Sequence, residues 1–136
     1  MADRSQAVRI VAAVVLNPRG QVLLARKAGR AAFMQPGGKR AAGETDLQTL
    51  DRELREELGC GAHLPSALHL GDFEAPAANE PDATVQASLY RVRLTGAPRA
   101  QAEIAELLWF DPRAPIDVPL APLTATHVLP LCATLT

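Results

Sequence analysis

Residues 38 to 60, GKRAAGETDLQTLDRELREELGC, constrain this chain more than any other stretch. Thr45 and Gln48 form a T-x-x-Q capping box, which satisfies exposed amide groups at the start of a helix. Leu47, Leu50, Leu54 and Leu58 then recur at i, i+3, i+7 and i+11, a stripe that faces a core. Gly59 is placed to end the helix, because glycine takes the left-handed conformation found there without penalty. At about 100° per residue, the four leucines fall within an arc of roughly 80°. Glu53, Glu56 and Glu57 occupy a second arc of about 100°, centred roughly 110° from the first. The pattern predicts one helix, anchored by one face and presenting carboxylates on another.

Three carboxylates on one helix face repel each other. Two explanations stand side by side. A solvated face laced with Arg52 and Arg55 is the common one for E-x-x-E-E alone. The other is a hard divalent cation such as magnesium, which takes oxygen ligands.

The rest of the chain alternates strands with helices. Residues 10 to 16 form a β-branched apolar run that ends in an Asn-Pro-Arg-Gly turn, and residues 21 to 26 follow at once, so the two read as a strand pair. Residues 27 to 43, with Pro36-Gly37-Gly38, read as a loop. Residues 68 to 73 and 84 to 94 are two further strands around a turn that includes Asn79, Glu80 and Pro81. In the second of these the apolar phase passes from Val85, Ala87 and Leu89 to Tyr90, Val92 and Leu94, which predicts a β-bulge near Leu89 and Tyr90. Residues 106 to 110 make another strand. Residues 120 to 131 make a short helix that Pro130 should kink or end. This order predicts an α/β/α sandwich with a central mixed β-sheet, formed by a single domain over residues 1–136.

Charge narrows the partners. Fourteen basic and fifteen acidic side chains leave a net charge of −1, which gives no broad attraction for nucleic acid polymers or anionic membranes. A local basic cluster would still serve a small phosphorylated ligand. Cys60 and Cys132 make no disulfide framework, and neither has metal-ligand spacing with the three histidines, so a cytoplasmic location is expected. The apolar run near the N-terminus is too short to span a bilayer.

With these elements in place, the acidic segment resembles the Nudix box, G-x5-E-x7-R-E-U-x-E-E-x-G-U, where U is a bulky aliphatic residue. Gly38, Glu44, Arg52, Glu53, Leu54, Glu56, Glu57 and Gly59 match it, and Cys60 departs at the last position. The resemblance implies a Nudix (MutT-like) hydrolase fold and the cleavage of a diphosphate bond in a nucleoside diphosphate derivative, with Mg²⁺ or Mn²⁺ as cofactor. It implies Glu53, Glu56 and Glu57 as metal ligands and Glu44 as support for the metal or its water. Arg52 would orient the carboxylates, Glu56 lying one helical turn away. Gly37 and Gly38 would let the backbone approach a phosphate, and Lys39 and Arg26 would contact it. The general base stays open between a box glutamate and Glu103 or Glu106.

A nucleoside triphosphate, including an oxidised one, is the expected substrate, giving a nucleoside monophosphate. ADP-ribose or another nucleotide sugar is the alternative, hinted at by Pro76. A domain that binds a nucleotide without cleaving it is a third reading. Homodimers are common in the family, but no interface is legible in this sequence.

Overall fold

Continuous burial along the first strands, with residues 11–15 and 22–25 all buried, builds the molecule around two sheets with a helix on either side. The computed structural model describes residues 6–78 and 80–135. In chain order the elements are β1 (Gln6–Val14), β2 (Val22–Lys27), β3 (Phe33–Met34), β4 (Gly37–Lys39), α1 (Asp46–Leu58), β5 (Ala62–Pro76), β6 (Ala83–Leu94), β7 (Ile104–Phe110), a π-helical turn (Thr124–Val128) and α2 (Leu129–Leu135). One sheet has the order β4-β1-β6-β5 and the other β3-β2-β7. The β1–β6 pair is parallel and its neighbours are antiparallel, so the larger sheet is mixed, as expected.

Side chains along a strand point to opposite faces in turn, and here each face has its own cover. Ala12, Val14, Val22 and Leu24 join a core with Val128 of the π-helical turn and Leu129 and Cys132 of α2. Val11, Ala13, Val15 and Leu23 join another with Leu50, Leu54 and Leu58 of α1. These three leucines are fully buried, each worth about 1.5–3 kcal/mol of apolar transfer. The capping box on Thr45 and Gln48 is formed, and Gly59 closes the helix at φ 72°.

Several local expectations are corrected. β1 and β2 do not form a ladder: a single bridge, Leu16 to Val22, joins them at the turn. Beyond it they enter separate sheets, because β4 and β6 occupy both edges of β1. The expected loop contains the short strands β3 and β4. The irregularity near Leu89 and Tyr90 lies in the opposing strand. His69 pairs with Tyr90 and Gly71 with Leu89, so Leu70 of β5 is the extra residue, while β6 keeps an unbroken register against β1. The change of apolar phase in β6 is therefore a change in which face is covered, with Ala87 and Leu89 on one core and Val92 on the other.

Pro130 does not end the last helix, which continues to Leu135. A widened turn precedes it, where the Leu129 N–H donates to the Thr124 carbonyl five residues back. Asn79, part of an expected turn, lies outside the described residues. No helix among the described residues is long and apolar enough to cross a membrane.

Candidate active site

The carboxylates of α1 grade from buried to exposed, and the helical wheel explains the order. Glu57 lies roughly 20° from Leu50 around the axis, Glu53 roughly 60° and Glu56 roughly 120°. Glu57 is accordingly buried, Glu53 half-buried and Glu56 exposed. Burial pushes the Glu57 carboxyl up to about 7, with the negative charges of Glu53 and Glu56 adding to the effect. The Gly37 N–H donates to Glu57 Oε1 at 3.0 Å and pulls the other way.

Gly37 and Gly38 make room on two sides. A Cβ at Gly37, whose φ is 148°, would fall 2.2 Å from the carbonyl oxygen of Val11. One at Gly38 would fall 2.5–2.7 Å from the three carboxyl atoms of Glu53. The first glycine thus lets β4 lie against β1, and the second lets Glu53 lie against β4. Both bear on how the carboxylates are held, and both also line the cavity beside them, where a phosphate approach was expected.

Arg52 ties the outer part of the site together. Its Nε and Nη2 donate to Glu44 at 2.7 and 2.9 Å, its Nη1 to Glu53 at 2.9 Å and its Nη2 also to the Lys39 carbonyl at 3.0 Å. Glu44 further accepts from the Ala41 N–H and the Thr49 hydroxyl. The Arg52 hydrogen bonds, followed by the Ala41 amide, hold the Glu44 carboxyl down to about 2. With four donors on its two oxygens, Glu44 anchors the Arg52 guanidinium. The expected proximity of Arg52 to Glu56 does not produce a pair; its partners are Glu44 and Glu53.

A cavity of about 440 Å³ opens beside β4 and α1. Glu53, Glu57, Gly37, Gly38 and Lys39 line it, as do Lys27 and Arg30. Arg26 does not: its guanidinium pairs with Glu106 at 3.2 Å and donates to the Arg30 carbonyl. Neighbouring residues on a strand point apart, and on β2 it is Lys27, with Ala25, that reaches the cavity. Glu103 and Glu106, the base candidates outside the helix, are exposed and face Lys27 and Arg26. Neither lines the cavity.

Sequence reasoning missed Lys27, Arg30, Gln35 and Thr124, all in the lining. Period-two alternation separates Lys27 from Arg26 without saying which one faces in. Gln35 and Thr124 meet across 89 positions and leave no local signal.

The donor chemistry fits a divalent cation in part. Glu53 and Glu57 offer hard oxygen atoms in one cavity, and the charge on Glu53 already opposes ionisation of Glu57, a conflict that a cation would relieve. Glu56, expected as the third ligand, faces solvent. Among the described residues no three carboxylate, histidine or cysteine side chains converge closely enough to hold an ion as they stand.

Known proteins resemble this chain in both sequence and fold. An RNA pyrophosphohydrolase of Halorhodospira halophila is 51% identical over 51 residues, which cover 38% of this chain and 28% of that protein. An 8-oxo-dGTP diphosphatase of Haemophilus influenzae is 37% identical over 73 residues, 51% of this chain and 54% of that one. The chain therefore spans at most about half the length of these relatives. The solution structure of the E. coli ORF135 protein matches with a TM-score of 0.69 and 26% identity, covering 99% of this chain and 92% of that one. A family model described as the NUDIX domain matches residues 7–131, nearly all of the described chain, and the protein belongs to the NUDIX family.

Proposed function

We propose that this protein is a metal-dependent hydrolase that cleaves a phosphoanhydride bond in a nucleotide, with a nucleoside triphosphate, oxidised ones included, as substrate and a nucleoside monophosphate as product. The observation that carries the reading is the joint presence of Glu53, Glu57, Lys27, Arg30 and Lys39 around one cavity. Carboxylates in such a place serve a divalent cation, and the cations beside them serve phosphate oxygens. Family membership and the names of the two relatives support the same chemistry.

In this reading Glu53 and Glu57 hold Mg²⁺, or Mn²⁺, with Glu56 joining only if its side chain swings in from solvent. The ion, when bound, neutralises phosphate charge and makes water easier to deprotonate. Lys27, Arg30 and Lys39 orient the phosphates. A cavity carboxylate, Glu53 or Glu57, takes the proton of the attacking water, since Glu103 and Glu106 are exposed, pair with Lys27 and Arg26, and do not line the cavity. Arg52 and Glu44 fix the position of Glu53. We read the chain as one domain acting in the cytoplasm on a small nucleotide, and homodimerisation belongs to the same reading.

Two observations favour other substrates. Pro76, the residue that hinted at ADP-ribose, lines the cavity. The RNA pyrophosphohydrolase likeness favours a 5′-triphosphorylated RNA end. One assay separates them: release of phosphate or pyrophosphate from dNTPs, 8-oxo-dGTP, ADP-ribose and 5′-triphosphorylated RNA with Mg²⁺. Fastest turnover of a dNTP is expected. Tight binding without cleavage of any of them would replace hydrolysis with recognition alone.

A further inference from the structure

The cavity wall carries two buried polar side chains that the hydrolytic reading does not use, Gln35 and Thr124. The Thr124 hydroxyl donates to Gln35 Oε1 at 2.8 Å. Gln35 Nε2 donates to the Ala13 carbonyl at 3.4 Å, near the limit for a hydrogen bond. These partners settle the orientation of the amide. A backbone carbonyl only accepts, so the NH₂ group faces Ala13 and the oxygen is left to the threonine. The amide nitrogen has a second hydrogen, and no acceptor for it is found among the described residues. A donor in this condition is left to whatever occupies the cavity, water or a ligand.

The placement of the pair is specific. Thr124 opens the π-helical turn, a local widening that recurs at functional sites. Gln35 lies two residues before Gly37, whose N–H holds Glu57. One short segment therefore fixes both the spare donor and a cavity carboxylate. Around them the wall is apolar, with Val8, Ile10, Met34 and Leu123 suited to the faces of a flat ring.

We infer that Gln35 is a specificity-determining residue whose amide nitrogen donates to an acceptor on the edge of the substrate's nucleobase, with Thr124 holding the amide in that orientation. This rests on the cavity being the nucleotide site. With Oε1 committed to Thr124, Gln35 acts as a donor only, and a base that presents a ring nitrogen or carbonyl there is preferred over one that does not.

The test pairs protein variants with substrate analogues. Wild type and Gln35→Leu are assayed with Mg²⁺ on the best of the dNTPs and ADP-ribose, and on analogues of it that each lack one base acceptor. For guanine these are the 3-deaza, 7-deaza and 6-deoxo triphosphates. In the wild type, one deletion is expected to lower kcat/KM about tenfold, and in Gln35→Leu the same deletion less than about twofold. Equal sensitivity in both proteins overturns the assignment, because a merely structural glutamine would slow all analogues alike. Where Gln35→Leu fails to fold, Thr124→Val decides: weakened discrimination supports the assignment and unaltered discrimination overturns it. Turnover by the wild type reports separately on the hydrolase reading. If nucleotides bind uncleaved, that reading falls and the same ratio in calorimetric Kd values decides the role of Gln35. If none binds, both fall.

Discussion

Glu44 and Glu57 are the same side chain, thirteen positions apart, held in opposite electrostatic states. Glu44 collects the Arg52 guanidinium, a hydroxyl and a backbone amide, and its carboxyl drops to about 2. Glu57 is buried against the leucine stripe with one backbone N–H, and its carboxyl rises to about 7. The two regions divide the labour of the site. Around Glu44 every charge is answered, which makes a rigid support. Around Glu57 negative charge is concentrated, met only in part by Lys27 and by the Arg52 contact to Glu53, and the rest is left for something else to answer.

Removing the unanswered charge gives the largest expected effect. Glu57→Gln should lower kcat by about 10²–10⁴-fold in a steady-state nucleotide assay while the metal-free protein melts no lower than wild type. Retained turnover would detach the buried carboxylate from the chemistry. Arg52→Lys, which loses the fork that grips Glu44 and Glu53, should cost about 10–100-fold in turnover, with a measurable fall in Tm. Should Tm fall with turnover intact, the support region would be purely structural.

The glycines sharpen the same contrast. Gly38→Ala displaces a side chain, Glu53, and should cost about tenfold in turnover with a small change in Tm. Gly37→Ala meets backbone and should lower Tm by about 5 °C or more, since strain of about 1 kcal/mol already shifts a domain of this size by several degrees. Thermal melts beside kinetics separate the two. If Gly38→Ala were as destabilising as Gly37→Ala, the Glu53 contact could not yield as argued.

The smallest effect is on pH dependence without added metal. The folded pKa of Glu57 lies above the ordinary glutamate value of 4.5, so its contribution is fully present below about pH 4.5 and is lost as pH rises through about 7. That of Glu44 lies below 4.5, so its contribution is present above that pH and is lost as pH falls through about 2. The Tm difference between Glu57→Gln and wild type should therefore grow from pH 4.5 to 8 and shrink when Mg²⁺ is added. A flat difference would contradict the burial argument.

The parts of this molecule legible in sequence are those set by local chemistry. The capping box, the leucine stripe, the Gly59 stop and the faces of α1 depend on residues a few positions apart, and periodicity reports them. The two-sheet split depends on which distant strand claims each edge of β1, and no local pattern encodes that. The same holds within the cavity. Glu53 and Glu57 follow from helical spacing, while Lys27 in place of Arg26, and the meeting of Gln35 with Thr124, depend on tertiary placement. Glu56 follows from the same helical spacing, and its exposure shows that a shared helix face still spans a wide range of environments.

The parallel pairing of β1 with β6 bears on how the chain acquires its structure. Each β1 residue meets a partner 77 positions later, from Gln6 with Ala83 to Val14 with Arg91. Contacts of such high sequence separation carry a large loop-closure entropy and slow folding. Helix α1 and strand β4, which carries both Gly37 and Gly38, lie inside that loop, so the carboxylate face should consolidate late and with the sheet. During synthesis, a chain halted before residue 83 would leave one hydrogen-bonding edge of β1 unpaired, its parallel partner not yet made.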